Sequence, residues 1–175
     1  MNISIQTIAV DTFVPMLESL AAILDKASAY GESANLDLVN AKLAADMYPL
    51  AQQVREACYY AKDGTARLAG QLAIPREDTE TTLFGLKSQI DGTLEYVRGV
   101  PAAAFDGAET RDCSIEFPNG MVIEMDGLRF LKAWLLPHFY FHLVTAYGIL
   151  RHSGVDIGKM DYLSQVAGFI RTGTA

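Results

Sequence analysis

The sequence predicts an all-α fold, a four-helix bundle that carries a small β-hairpin before its last helix. Four long stretches repeat apolar residues at steps of three and four, the spacing of one helix face, and short segments connect them. One further segment, residues 112–126, changes to an alternation of apolar and polar residues, which is typical of strands. We expect a single domain over residues 1–175, with a tail that is weakly structured from about residue 164.

The first helix is predicted from about Ile5 to Tyr30, because Gly31 is a common helix stop. Pro15 indicates either a helix start or a kink, so the beginning of this helix stays open. One face of the helix repeats the apolar residues Phe13, Leu17, Leu20, Leu24 and Ala27.

The second and third helices are predicted over residues 46–70 and from about residue 81 to 99. Asp46 is a candidate N-cap for the second helix, and Pro49 is tolerated in its first turn. Thr81 or Thr82 can cap the third helix. The apolar faces are formed by Met47, Leu50, Ala51, Val54, Cys58 and Ala61 in the second helix, and by Leu83, Leu86, Ile90, Leu94 and Val97 in the third.

The alternating segment predicts a hairpin. Its loop length follows from the requirement that apolar residues of one strand lie opposite apolar residues of the other. A two-residue Asn-Gly loop would place Ile115 opposite Glu124, one apolar and one charged. A three-residue loop of Pro118, Asn119 and Gly120 suits a type I turn followed by a left-handed bulge position. This second loop puts on one face the pairs Phe117 with Met121, Ile115 with Ile123, and Cys113 with Met125.

The last helix is predicted from about residue 127 to 153 and is stopped by Gly154. At about 100° per residue, the side that carries His138 and His142 also carries Leu131, Trp134, Leu135, Thr145 and Ile149. The opposite side carries Leu136, Phe139, Tyr140, Leu143 and Tyr147. Because it is apolar nearly all round, this helix should lie in the middle of the molecule or present one face to another subunit.

Composition and charge exclude several classes of protein. Half of the residues are apolar and 20% are charged, far from the composition of disordered chains. The formal net charge of −7, without a cluster of Lys and Arg, predicts no nucleic-acid partner. Two cysteines argue against a disulfide framework, so we expect a reducing, cytoplasmic location. The N-terminal residues lack the basic region of a secretory signal.

Residues 130–150 are long and apolar enough to raise the question of a membrane span. They contain Lys132, Pro137, His138 and His142, and a charge or an imidazole in mid-span is costly in lipid. We therefore predict a buried core helix and no membrane partner.

His138 and His142 are the candidate metal ligands of the sequence. They are four residues apart, which places their Cβ atoms about 6 Å apart on one helix face, where two imidazoles can share a metal ion. His152 lies about 21 Å beyond His138 along the helix axis, so it cannot bind the same metal ion. Phe139 replaces the glutamate of a zinc-protease motif, so that mechanism has no general base. In isolation, this histidine spacing arises more often by chance than as a metal site.

The run His138–Gly154, read together with its neighbours, resembles the last-helix signature of the DinB/YfiT-like metalloenzyme superfamily. That signature has a histidine, a second histidine four later, an arginine nine beyond it and a glycine three further, and His138, His142, Arg151 and Gly154 match it. The run F-Y-F-H…T-A-Y-x-I-L-R-H-x-G-V is similar to an uncharacterised bacterial branch of that superfamily. The D-M-Y-P-L-A-x-Q-V run from Asp46 and the T-F-x-x-M-L run from Thr12 also fit that branch, so the resemblance spans residues 3–163.

The resemblance implies a DinB-like four-helix bundle, often a homodimer. Metal-binding members hold a divalent ion, usually zinc or nickel, with two histidines of the H-x-x-x-H helix and a third from the second helix. Some members act as thiol-dependent transferases or as hydrolases.

This sequence departs from that pattern at the third ligand. The predicted second helix contains no histidine, and residues 47–50 occupy the place where it would fall. Asp46 could substitute as an oxygen ligand and Cys58 as a thiolate, although a helix cap and a buried thiol are the more common roles of such residues. Two histidines and water bind a metal weakly unless a third ligand is supplied.

Two functions therefore remain open. The preferred one is a dimerising or small-molecule-binding domain with a degenerate metal site, which uses the aromatic face of the last helix. The alternative is a divalent-metal-dependent hydrolase or thiol transferase with His138 and His142 as ligands. Arg151 is more typical of a helix end that satisfies the last carbonyls. Tyr59, Tyr60, Tyr140 and Tyr147 could line a pocket for an apolar small molecule, but aromatic residues at helical spacing more often form a core or an interface.

Overall fold

The computed structural model describes residues 4–76 and 79–171 and confirms the all-α prediction. Three long helices, α1 (Ile5–Ala34), α2 (Leu50–Leu68) and α3 (Leu83–Gly99), pack with a last helix. The last helix consists of a first turn, α4 (Gly127–Arg129), a π-helical segment (Phe130–Leu135) and α5 (Leu136–His152). Around the bundle, α5 packs on α2, α2 on α3, and α3 on α1. The chain thus forms the expected four-helix bundle.

Helix α1 is longer than the sequence predicts at its C-terminal end. Ser4 caps its start by accepting a hydrogen bond from the backbone N–H of Thr7 at 3.0 Å. The helix runs past Gly31 to Ala34 and ends at Asn35, which adopts a left-handed conformation with φ 53°. Asn tolerates this conformation, so it replaces glycine as the stop. Pro15 lies inside the helix and marks neither a start nor an end.

Helix α2 begins at Leu50, so the predicted start at Asp46 is wrong. Pro49 occupies the N-cap position in an extended conformation. A residue that precedes proline is disfavoured in the helical region, which prevents Tyr48 from extending the helix backwards. Asp46 lies four residues before the helix, exposed to solvent, and does not cap it.

The predicted cap of α3 and the predicted hairpin are confirmed. Thr82 accepts a hydrogen bond from the N–H of Gly85 at 3.0 Å. In the hairpin, β1 (Ile115–Glu116) and β2 (Val122–Ile123) are antiparallel with Ile115 opposite Ile123. The N–H of Phe117 donates to the carbonyl of Met121 at 2.8 Å, and Gly120 has φ 83°, as a three-residue loop requires.

The π-helical segment changes which residues of the last helix face the core. Leu131, Leu135, Phe139 and Leu143 follow one another at steps of four, and all four are buried. In a regular α-helix of 3.6 residues per turn, residues at steps of four rotate steadily away from the core. The larger number of residues per turn in the π-helical segment keeps them on the core side. Pro137 favours such an opening, because its ring clashes with the carbonyl four residues earlier. Phe139 and Leu143 therefore belong to the core, and the expectation that they contact a second subunit or a ligand as part of the aromatic face is wrong.

The C-terminal part of the described chain returns to α1. It contains a short helix, α6 (Lys159–Tyr162), and a 3₁₀ segment, Ser164–Phe169. The hydroxyl of Ser164 lies 2.6 Å from that of Ser19, and Lys26 bonds to Asp161 at 2.7 Å.

Among the described residues, one helix, α1, has the length and composition of a membrane span. Helix α1 packs its buried face against α3 within the bundle, and a core helix of a soluble protein has the same features.

Candidate functional site

His138 and His142 line one pocket between the last helix and α2. The cavity volume is about 710 Å³, within the usual range for small-molecule sites. Both histidines project from α5, one turn apart, toward the first half of α2. The lining residues are Tyr48, Gln52, Glu56, Tyr60, Arg76, Ala133, Pro137, His138, Phe141 and His142.

Aromatic rings hold both imidazoles in place. The ring of Tyr60 is nearly parallel to both, with centroid distances of 4.5 Å to His138 and 5.6 Å to His142. Trp134, the single tryptophan of the chain, lies 4.4 Å from the His138 ring. Phe141 packs its edge against His142 at 5.2 Å. Stacked and edge-on contacts are both favourable arrangements of aromatic rings, so together they hold the two imidazoles in their orientations.

A hydrogen bond fixes the tautomer of His142. Its Nδ1 lies 2.8 Å from Oε1 of Gln53, and the Nε2 of Gln53 donates to the backbone carbonyl of Tyr48 at 3.1 Å. This second bond assigns the amide oxygen to the histidine, and an amide oxygen only accepts. Nδ1 of His142 therefore carries the proton and donates.

Burial keeps both histidines neutral. Desolvation lowers the pKa of His142 to about 4, and the charge of Glu56 opposes this shift only in part. Desolvation also lowers the pKa of His138. Removing an imidazolium from water is costly, so the neutral form prevails in the pocket at neutral pH.

An ion pair between a buried carboxylate and a half-exposed guanidinium forms another wall of the pocket. Glu56 is only 5% exposed, pairs with Arg76, and accepts a hydrogen bond from Gln52 at 2.9 Å. The guanidinium of Arg76 also lies 4.0 Å from the ring centroid of Tyr59. Burial lowers the pKa of Arg76, but the hydrogen bond and the charge of Glu56, together with a hydrogen bond to Tyr60, outweigh this effect and raise the pKa. The carboxylate charge is thereby neutralised where it meets the pocket.

The two other candidate ligands lie elsewhere. Asp46 is exposed in the segment before α2 and does not line the pocket. Cys58 faces α3 and lines a smaller cavity between α2 and α3, which adjoins the pocket at Glu56 and Arg76. Burial raises the pKa of its thiol to about 12, as in an inert core cysteine.

The arrangement does not complete a three-ligand metal site. Two imidazoles that bind one zinc ion, with Zn–N bonds of about 2.1 Å at a tetrahedral angle, have ring centroids about 5 Å apart. The ring centroids of His138 and His142 are 6.4 Å apart. Over residues 4–76 and 79–171, no group of three His, Cys, Asp or Glu side chains is placed to hold a metal ion. The carboxylate in the same pocket, Glu56, is held by Gln52 and Arg76.

The tyrosines and the arginine that the sequence offered as candidates lie in different parts of the structure. Tyr60 lines the pocket, as one of the sequence interpretations allowed, whereas Tyr59 lines the smaller cavity between α2 and α3. Tyr147 packs against Tyr162 with centroids 6.0 Å apart. Arg151 is exposed in the last turn of α5.

Tyr60 was a candidate from the sequence, whereas Gln53, Glu56 and Arg76, which also shape the site, were not predicted. Gln53, Glu56 and Tyr60 recur at steps of three and four along α2, so they share one face of that helix. Polar residues at core spacing were a usable signal. Arg76 reaches the pocket from the segment after α2, and nothing local in the sequence indicates that contact.

Comparisons with known proteins agree with this architecture. The profile of a domain of unknown function, DUF1993, matches residues 5–163. A solved structure, described as the crystal structure of a DinB family member protein from Shewanella denitrificans at 1.83 Å resolution, is 45% identical. The match covers 88% of each chain with a TM-score of 0.80. No curated protein matches the chain. The chain therefore belongs to the DUF1993 family and has a DinB-like helical-bundle fold.

Proposed function

We propose that this DUF1993 domain binds a small organic molecule with a planar ring in the pocket of His138 and His142. The observation that carries the proposal is a cavity of about 710 Å³ walled by aromatic rings and two neutral imidazoles. A few polar groups among apolar walls are the usual composition of a ligand site.

The ring directions support a flat ligand. Tyr60, His138 and His142 are parallel to within 18°, so a planar group can stack in the same orientation. The pairing of Glu56 with Arg76 leaves little net charge in the pocket, which favours a neutral ligand over an ion.

The test uses histidine side-chain NMR with toluene, phenol, indole and benzoate as probes. Binding should shift the Cε1–H resonances of His138 and His142, while the exposed His152 serves as an internal control. Trp134 contacts the His138 ring at a tilt of 52°, so its fluorescence should change in parallel. If no probe shifts His138 and His142 more than His152, the proposal fails.

A blocking variant separates pocket binding from surface binding. Ala133 is exposed at the pocket mouth, so Ala133→Phe should fill the mouth and abolish the shifts without disturbing the core. Lys132→Phe adds the same ring at the neighbouring exposed position, outside the pocket, and should leave binding unchanged. Equal effects of the two variants would contradict pocket binding.

The competing proposal is a zinc- or nickel-dependent hydrolase or thiol transferase. The bond from His142 to Gln53 favours it, because metal-ligating histidines usually donate their other ring N–H. The test is elemental mass spectrometry of untagged protein purified without chelator, beside a His138→Ala/His142→Ala variant. About one metal per chain, lost in the variant, would support this competing proposal.

A further inference from the structure

His142 offers the pocket one polar atom that the described part of the chain leaves without a partner. The residue is 6% exposed, and its Nδ1 is bonded to Gln53. Among residues 4–76 and 79–171, no side chain or backbone group forms a hydrogen bond with its Nε2. Among the described residues, this nitrogen is not one of the fully buried side-chain atoms that lack a hydrogen bond, so it is accessible from the pocket, where a ligand atom or a water can meet it.

The network behind His142 decides which kind of atom can meet it. Since Nδ1 carries the proton, Nε2 of the neutral ring carries a lone pair and only accepts. The bond from Gln53 to the carbonyl of Tyr48 prevents the amide from turning over to reverse these roles. A ligand without an N–H or O–H would leave the lone pair unsatisfied.

The carboxylate acceptor of the pocket wall, Glu56, is already engaged. Of the two oxygens of Glu56, Oε1 accepts from Gln52 and Oε2 from Arg76. Nε2 of Gln52 and Nη1 of Arg76 are directed at that carboxylate, and Arg76 also bonds to the hydroxyl of Tyr60. An anionic ligand would thus meet the lone pair of His142, while Arg76, the cation among the described residues that line the pocket, is paired with Glu56.

We infer that the ligand class of this pocket is a neutral planar ring that carries an O–H or N–H donor, such as a phenol or an N–H heterocycle. The ring lies parallel to Tyr60, and its donor bonds to Nε2 of His142. This inference rests on the proposed function and adds to it the polarity of the ligand.

The experiment compares phenol with fluorobenzene, a ring of nearly the same size without a donor, and with benzoate. Dissociation constants are measured on the wild-type chain from the Cε1–H shifts of His138. We expect phenol to bind at least about tenfold more tightly than fluorobenzene, and benzoate to bind more weakly than phenol. In His142→Phe, which keeps a ring but removes the acceptor, the preference for phenol should disappear.

The outcomes distinguish this inference from the proposed function. Equal affinities of phenol and fluorobenzene would overturn the donor requirement but leave ring binding intact. No binding of either would overturn both. Tighter binding of benzoate than of phenol would overturn the neutral class and assign the pocket to anions through Arg76.

A second measurement does not depend on the folding of a variant. The ring ¹⁵N resonances of His142 in the wild-type chain report which nitrogen carries the proton. They should show a protonated Nδ1 and a bare Nε2, and phenol should shift the Nε2 resonance toward a hydrogen-bonded value. A protonated Nε2 in the free protein would overturn the inference.

Discussion

At the scale of single residues, His142 shows how a buried imidazole acquires a defined role. Its helix face and its distance from His138 follow from a spacing of four, and these could be predicted from the sequence. Its partner could not, because Gln53 is 89 residues away in the chain and only the packing of α5 on α2 brings the two together. The lowered pKa and the fixed tautomer both depend on that packing.

The lowered pKa predicts that stability depends on pH through His142. The pKa is about 4 in the folded protein and about 6.5 in an ordinary environment. Between these values the unfolded chain binds more protons, so the free energy of unfolding falls as the pH is lowered. This contribution is fully present above about pH 6.5, and up to about 3 kcal/mol of it is lost by about pH 4.

Urea denaturation at a series of pH values measures this effect. His142→Asn keeps an N–H that can donate to Gln53 but removes the titration, so its stability should vary less between pH 4 and 6.5 than that of the wild type. His152→Asn changes an exposed histidine and is the control. A wild-type slope that His142→Asn does not reduce would contradict the prediction.

At the scale of elements, α2 and the last helix approach each other closely beside the π-helical segment. Gly64 of α2 faces Leu135, and a Cβ at Gly64 would lie 2.3 Å from both Leu135 methyl groups. The absence of a side chain at Gly64 lets the last helix pack closely on α2, directly below the pocket. The widened turn sets the position of Leu135, so the glycine and the π-helical segment belong to one packing arrangement.

Gly64→Ala should therefore destabilise the chain by about 1–3 kcal/mol through overpacking. In a Leu135→Ala background the same change should cost much less, because the clashing methyl groups are gone. Gly92→Ala is the matched control, since Gly92 is exposed in α3 with nothing within 4 Å of an added Cβ, and alanine is the better helix former. Equal costs of Gly64→Ala in both backgrounds, measured by denaturant unfolding, would contradict this explanation.

Elements set by local chemistry were predictable, and those set by distant contacts were less so. The hairpin register follows from a loop length that places apolar residues opposite each other. The start of α3 follows from the Thr82 hydroxyl, which caps the helix. The start of α2 was misplaced because Asp46 is a good cap, whereas Pro49 limits the helix. The π-helical segment was missed, although the steps of four from Leu131 to Leu143 are a signal for it.

At the scale of the whole molecule, two buried carboxylates of α2 tie down the segment that follows it. Asp63 accepts a hydrogen bond from the N–H of Ile74 at 2.8 Å, and Glu56 binds Arg76. Acidic residues at core positions of a helix are costly unless they are bonded, and these bonds account for them. The segment closes one end of the pocket as a result, which explains why helix periodicity predicted the bundle but not the site.

The apolar side chains that remain exposed on the last helix form a face different from the predicted one. Phe139 and Leu143 are in the core, while Tyr140, Phe141 and Val144 are 37%, 57% and 48% exposed. Helix α5 carries no charged side chain between Leu136 and Leu150. In a chain of net charge −7, this is a surface that two copies can bring together without like-charge repulsion.

We expect this outward face of α5 to be the contact surface of a homodimer. Phe141→Glu places a carboxylate at its centre, so each dimer would bury two like charges, and dimerisation should weaken by at least about tenfold. Phe84→Glu makes the same change at an exposed phenylalanine of α3 and should leave the dimer intact.

Sedimentation velocity over a micromolar concentration series measures both variants beside the wild type. A monomeric wild type, or a dimer that Phe84→Glu separates and Phe141→Glu does not, would show that the α5 face is not the interface. Because Phe141 also lines the pocket, a dimer formed here would place the second copy at the pocket mouth and link ligand entry to assembly.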